Sequence, residues 1–226
     1  MGGFKRKRVD VMSPGIAFTV GNLARTQQAT SCLIEAVQPL LLESVEEPTS
    51  MSLSEALGAE LGELRANKKK LQSGGDLCKG VAYVKIQGAM RPSQLVHALL
   101  SDEKNKLPAY VSRIIPFDYV TSPHFRNASD LVTARIKPFF ESITLPTTWN
   151  MRFSRHAMSS VEQRQILDVL LTEIPERHEA SVMDAEWTVL IDVTPVLCGM
   201  SVVRDFEKLG EYNVNKLAKL RHIESD

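Results

Sequence analysis

The residues in this sequence that could do chemistry are scattered rather than grouped. Its three cysteines, Cys32, Cys78 and Cys198, have no C-x-x-C partner and no histidine at ligand spacing. Neither a zinc site nor a disulfide framework is expected from them, and they read as plain thiols. Among the five histidines, His97 falls in the middle of an amphipathic pattern, where packing or exposure accounts for it. His156 differs, because it leaves a polar strand together with Arg152 and Arg155. With Asn150 these side chains make a patch suited to hydrogen-bonding phosphate or sugar, or to stacking on an unpaired base. The alternative is a solvated strand edge, and spacing alone leaves both open.

Catalytic motifs are missing. The sequence has no G-x-x-x-x-G-K-[ST] run, no G-x-G-x-x-G after a strand and no H-E-x-x-H. Gly58 to Gly62 lacks the R/Q-x-x-G-x-G/A pattern with which acetyltransferases hold the coenzyme-A pyrophosphate. Ser73-Gly74-Gly75-Asp76 resembles the start of the S-G-G-x-D loop of ATP pyrophosphatases, which include tRNA thiouridine synthases. That loop needs a strand before it and a helix after it, so that backbone N–H groups face phosphate. Here a lysine-rich helix end precedes and a strand follows, and the aspartate comes one position early. A Gly-Gly turn is expected instead, with no enzyme activity and no cofactor.

The elements around these residues follow from periodicity. A basic tail over residues 1–14, carrying Lys5-Arg6-Lys7-Arg8, leads into a strand from Ile16 to Val20. Next comes a helix with Ala29, Cys32, Leu33, Ala36, Val37, Leu40 and Leu41 on one face, which Pro39 should kink or end. A second helical pattern carries Leu53, Leu57, Leu61 and Leu64 and ends in Lys68-Lys69-Lys70. A strand from Val81 to Ile86 follows. These form a first domain over 15–90, and a helix from Pro92 burying Leu95, Val96, Leu99 and Leu100 opens a second over 91–222. In that second domain a strand from Tyr110 is stopped by Pro116, and a helix runs from Ser129 to Phe140. Thr148 to Ser154 alternates strictly, with Trp149, Met151 and Phe153 on one face and a polar, cationic outer face opposite. Ser160 and Gln163 suggest a capping box for a helix burying Ile166, Leu167, Leu170, Leu171 and Ile174. Strands from Trp187 to Val193 and Val196 to Val203 follow, then a closing helix from Phe206 to Leu217. The fold class is α/β, with layered strands and helices.

Charge balances over the 226 residues, 27 Lys+Arg against 27 Asp+Glu, yet it is segregated. Residues 31–63 carry seven Glu and no Lys or Arg, whereas 104–164 carry nine Lys or Arg against four Asp or Glu. Affinity for nucleic acid depends on local cations meeting phosphate, so a neutral total does not exclude an RNA-binding face. No apolar run approaches the ~18 residues of a membrane span.

The stretch from Trp187 through Val193, Cys198 and Ser201-Val202-Val203-Arg204-Asp205-Phe206, then Tyr212-Asn213-Val214, resembles the eukaryotic THUMP-domain adaptors that assist tRNA acetyltransferases. In that family a hydrophobic strand and a Cys-containing turn precede S-V-V-x-D-[YF] and then Y-N-L. Further family features recur in order: Arg113-Ile114-Ile115-Pro116 for R-x-[LI]-P, Pro138-Phe139-Phe140 for P-[WF]-F, and Gly15 to Thr19 for G-I-x-x-T. One departure lies after the amphipathic strand. There the family reads close to Y-K-x-R-x-N and this chain reads Phe153-Ser154-Arg155-His156-Ala157, so Arg155 carries over and His156 stands for a polar neighbour.

The resemblance implies an N-terminal ferredoxin-like domain followed by a THUMP domain. It implies an adaptor without a catalytic domain, delivering tRNA to a separate cytidine acetyltransferase that makes acetylcytidine in the D arm. No methyltransferase or pseudouridine-synthase module is expected after it. Arg113, Arg126, Lys137, Arg152, Arg155, His156 and Arg204, helped by the basic tail, are the expected RNA contacts, with no metal. Partners are tRNA and the acetyltransferase, and the location is the nucleus or nucleolus, otherwise the cytoplasm. A second reading is a protein-interaction scaffold with little RNA binding of its own, for which the acidic segment from Glu35 to Glu63 would be the protein-facing surface.

Overall fold

The structure, a computed structural model, describes residues 13–42, 71–156 and 160–224. The basic tail, the helix expected over Leu53 to Leu64 and Lys68 to Lys70 lie outside these residues, as does most of the acidic segment. The described residues form two sheets with helices, a mixed α/β architecture.

The first sheet holds β1 (Gly15–Val20), β2 (Leu71–Cys78), β3 (Val81–Ile86) and β4 (Val111–Phe117) in the order β2-β3-β1-β4, every pair antiparallel. With α1 (Thr26–Leu42) after β1 and α2 (Pro92–Ser101) between β3 and β4, the connectivity is βαββαβ, that of a ferredoxin-like layer. Both faces of the central strands are buried. Ile16, Phe18, Ala82 and Val84 pack under α1 and α2, while Ala17, Val81 and Tyr83 join Ile115, Phe117 and Leu197 on the reverse. The first layer therefore runs to Phe117 instead of stopping at 90, because the helix from Pro92 and the strand after it complete its sheet.

Two local expectations change for steric reasons. Gly74 and Gly75 sit inside β2, at bulges against β3, rather than in a turn. A Cβ on Gly74 would lie 2.6 Å from the Tyr83 ring, so the glycine lets the ring cross the strand. Nor does Pro116 end its strand. It pairs with Ile16 on the outermost strand, where a missing N–H costs no ladder bond.

In the second sheet, β5 (Tyr119–Thr121), β6 (Thr148–Arg155), β7 (Glu179–Ala180), β8 (Trp187–Val193) and β9 (Cys198–Arg204) stand in the order β5-β9-β8-β6-β7. β6 runs parallel to β7 and β8, and β9 antiparallel to β8 and β5. Between β5 and β6 lie α3 (Phe125–Leu131), a wider π turn (Val132–Ile136) and α4 (Lys137–Ser142). Pro138 removes a donor to the turn before it, consistent with the widening there. α5 (Gln163–Glu173) connects β6 to β7, and together the three helices cover Trp149, Val189, Ile191, Val193 and Met200. The expected capping box at Ser160 and Gln163 does not form. Glu162 is the N-cap without a side-chain bond, and Ser160 Oγ instead accepts from Phe125 N at 3.4 Å.

The closing helix also starts later than its apolar spacing suggests. Phe206 to Tyr212 is a turn, ending in a 3-10 segment (Gly210–Tyr212) with Asp205, Glu211 and Tyr212 at φ of 53, 55 and 56°. α6 (Val214–Glu224) begins once Asn213 Oδ1 accepts from Asn215 N and Lys216 N at 3.0 and 3.1 Å.

Candidate nucleic-acid interface

Register determines which way the polar side of β6 faces. Asn150, Arg152 and Ser154 stand beside Thr188, Leu190 and Asp192 of β8, which in turn stand beside Val203, Ser201 and Gly199 of β9. Leu190 and Val203 belong to the core of the first layer, and Ser201 Oγ donates to Pro116 O at 2.8 Å. The face expected to look outward thus turns toward the first layer, and a crevice of about 230 Å³ opens between them, lined by Arg113, Arg152, Ser154, Asp192, Glu211 and Tyr212.

Several charges along this crevice are held in pairs. Arg152 donates to Glu207 at 3.1 Å, and Lys216 to Glu211 at 2.9 Å. That bond from Lys216 is the main cause holding the Glu211 carboxyl below its usual range. At the end of β6, His156 Nε2 lies 3.1 Å from Oδ2 of the buried Asp192, while the other carboxylate oxygen has no hydrogen-bond partner among the described residues. The bond to Asp192 raises the His156 pKa, against the opposing effects of burial and of the nearby Arg113 charge. His156 therefore carries its positive charge to a higher pH than an ordinary histidine.

The other expected contacts separate into two groups. The side chains of Arg126 and Arg155 are exposed and make no hydrogen bond or ion pair with described residues. Arg126 lies in the first turn of α3, whose leading N–H bonds to Ser160 just ahead of α5. Arg155 ends β6 and shares an open hollow of about 500 Å³ with Arg164 in the first turn of α5. These three arginines mark one end of the second sheet, where β6 ends and two helices begin, and Arg113, Arg152 and His156 flank the crevice beside it.

Lys137 and Arg204 do not join them. Lys137 bonds Glu173 at 3.0 Å, tying α4 to α5, and Arg204 pairs with Glu186 while lying 4.3 Å over the Trp187 ring. Sequence reasoning also passed over Asp192. Its only signal was a charged residue in the apolar run from Val189 to Val193.

Neither Cys198 nor Cys78 is an activated nucleophile. Burial pushes the Cys198 pKa up to about 12 and also raises that of Cys78. Among the described residues no group of His, Cys, Asp or Glu could hold a metal ion, and no helix is long and apolar enough to cross a membrane.

Fold and surface together define a two-sheet α/β protein with a polar crevice between its layers and an arginine rim at one end of the second sheet. The chain is similar, at 22% identity over 174 residues, to THUMP domain-containing protein 1 of Mus musculus, which aligns with 73% of this chain and 49% of that protein. It thus spans about half the length of that relative. An uncharacterized protein of Schizosaccharomyces pombe is 22% identical over 228 residues, covering 96% of this chain and 79% of its own length. No family model matches. Solved structures with some likeness include a 4-thiouridine synthetase–RNA complex with bound ATP, at 9% identity and TM-score 0.44, covering 85% of this chain and 42% of that one. The solution structure of the THUMP domain of THUMP domain-containing protein 1 aligns at 17% identity and TM-score 0.28, covering 34% and 80%.

Proposed function

We propose that this chain is a tRNA-binding adaptor that presents tRNA to a separate cytidine acetyltransferase for acetylcytidine formation in the D arm. The observation that carries the RNA part is the rim formed by Arg126, Arg155 and Arg164, cations whose side chains have no partner among the described residues, beside the crevice of Arg113, Arg152 and His156. Cations already paired lose those bonds when phosphate binds, whereas unpaired ones gain contacts and release counterions. The resemblance of the motifs from Trp187 to Val214 to the tRNA acetylation adaptors supports the acetyltransferase part. The basic run from Lys5 to Arg8 suits a nuclear or nucleolar location.

Capture of tRNA by the isolated chain, compared with capture by the chain plus the acetyltransferase, tests this reading. The adaptor retains tRNA in both cases, and the enzyme acetylates more of it when the chain is present. Retention only with the acetyltransferase would favour a protein scaffold instead.

A further inference from the structure

We propose that the open edge of β6 is a docking site for an extended peptide of a partner protein, one with apolar side chains at alternate positions and acidic residues at one end. The site shares Arg155 and Arg164 with the rim of the proposed RNA interface, but its strand edge and apolar groove lie outside that reading.

The argument begins with the backbone. β7 pairs with β6 only at Thr148 and Trp149. Glu179 N donates to Thr147 O at 3.0 Å and Ser181 N to Trp149 O at 2.8 Å, so the peptide groups of odd-numbered residues face that edge. Past Ser181 the chain turns away, with Val182 and Met183 88% and 74% exposed. Among the described residues none continues the ladder along Met151, Phe153 and Arg155. An exposed edge of this kind accepts another strand.

Beside the edge runs a groove between β6 and α5. Its first part, about 290 Å³, is lined by Met151, Leu167, Leu171 and Val182, with Trp149 and Asn150. Trp149, 2% exposed, has no acceptor for Nε1 among the described residues. Leu171 is 53% exposed although it lies on the helix face expected to be covered. Gln163 links this part to the second, which holds Arg155 and Arg164 with Glu162 as the one carboxylate. An apolar stretch ending in two arginines matches a peptide that is apolar along its length and acidic at one end. A row of peptide N–H and C=O groups at strand spacing matches a polypeptide backbone and not a phosphodiester.

Amide exchange on the full chain, followed by NMR, tests the proposal. In the free protein Met151 and Phe153 should exchange faster than Asn150 and Arg152, whose amides face β8. Two synthetic nine-residue peptides are then added, each alternating Thr and Val with three acidic residues at one terminus or the other. At saturation one of them should slow Met151 and Phe153 exchange at least tenfold. Leu171→Glu with Val182→Glu, both on exposed side chains, should abolish that effect while preserving the far-UV spectrum and tRNA affinity. Slow exchange of these amides in the free chain, no response to either peptide, or protection by a nine-nucleotide oligouridine instead would overturn the proposal. Loss of tRNA binding by the unsubstituted chain would bear on the proposed function and leave this one standing.

Discussion

Arg155 and Lys137 look alike in the sequence, each a cation in a basic stretch, but the structure gives them different work. Arg155 is exposed without a side-chain partner among the described residues, whereas Lys137 is bonded to Glu173. Arg126→Ala with Arg155→Ala should weaken tRNA binding and lower the log–log salt slope by roughly 0.7 to 0.9 for each lost phosphate contact. Lys137→Ala should leave the slope unchanged, and filter binding at several salt concentrations separates the two. His156 gives a pH signature. Its folded pKa lies above that of the unfolded chain, so the stabilisation from Asp192 is fully present below the ordinary histidine value of about 6.5 and is lost as pH rises through the raised folded value. Denaturant midpoints across that window should fall with pH in the parent protein more than in His156→Gln. Residue type alone could flag these cations, but not which of them were already paired, because their carboxylate partners lie 36 to 55 positions away, or 18 in the case of Arg204 and Glu186.

At the level of elements, glycines mark where layers meet. Gly199 of β9 faces the first layer, and a Cβ there would fall 2.3 Å from the Phe117 ring of β4. Gly199→Ala should therefore destabilise the protein by about 1–3 kcal/mol through overpacking, read from urea denaturation, with the salt slope for tRNA unchanged. Most strands and helices were legible because burial imposes a period. Trp187 to Val193, Thr148 to Ser154 and α2 all stand close to where their patterns place them. Elsewhere the governing contact was distant in sequence. Gly74 reads as a turn until Tyr83 lies against it, and Pro116 reads as a stop until its strand takes the sheet edge. The same cause displaced the layer boundary from 90 to beyond Phe117, since nothing local says that β4 pairs with β1. It also turned the polar face of β6 inward, because alternation separates the two faces without saying which one meets another layer.

Across the whole molecule, a buried hydroxyl joins the two layers alongside their apolar contacts. Ser201 Oγ donates to Pro116 O and accepts from Asp118 N, both at 2.8 Å, while Asp118 accepts from Ser93 N and Oγ at 2.8 and 2.6 Å. Ser201→Ala leaves the Asp118 N–H without its acceptor and should cost about 1–3 kcal/mol, measured by chemical denaturation. The crevice lies along this junction, so its arginines come from both layers, Arg113 from β4 and Arg152 from β6. Such a geometry suits a surface that grips a folded RNA by shape. The most direct test is filter binding of tRNA to the full chain, with and without Arg126→Ala and Arg155→Ala, over a range of salt. The account predicts salt-dependent binding by the parent chain and a weaker, shallower dependence in the double variant at unchanged stability. Equal affinity and equal slope in the two proteins, or no tRNA binding by the parent chain, would contradict it.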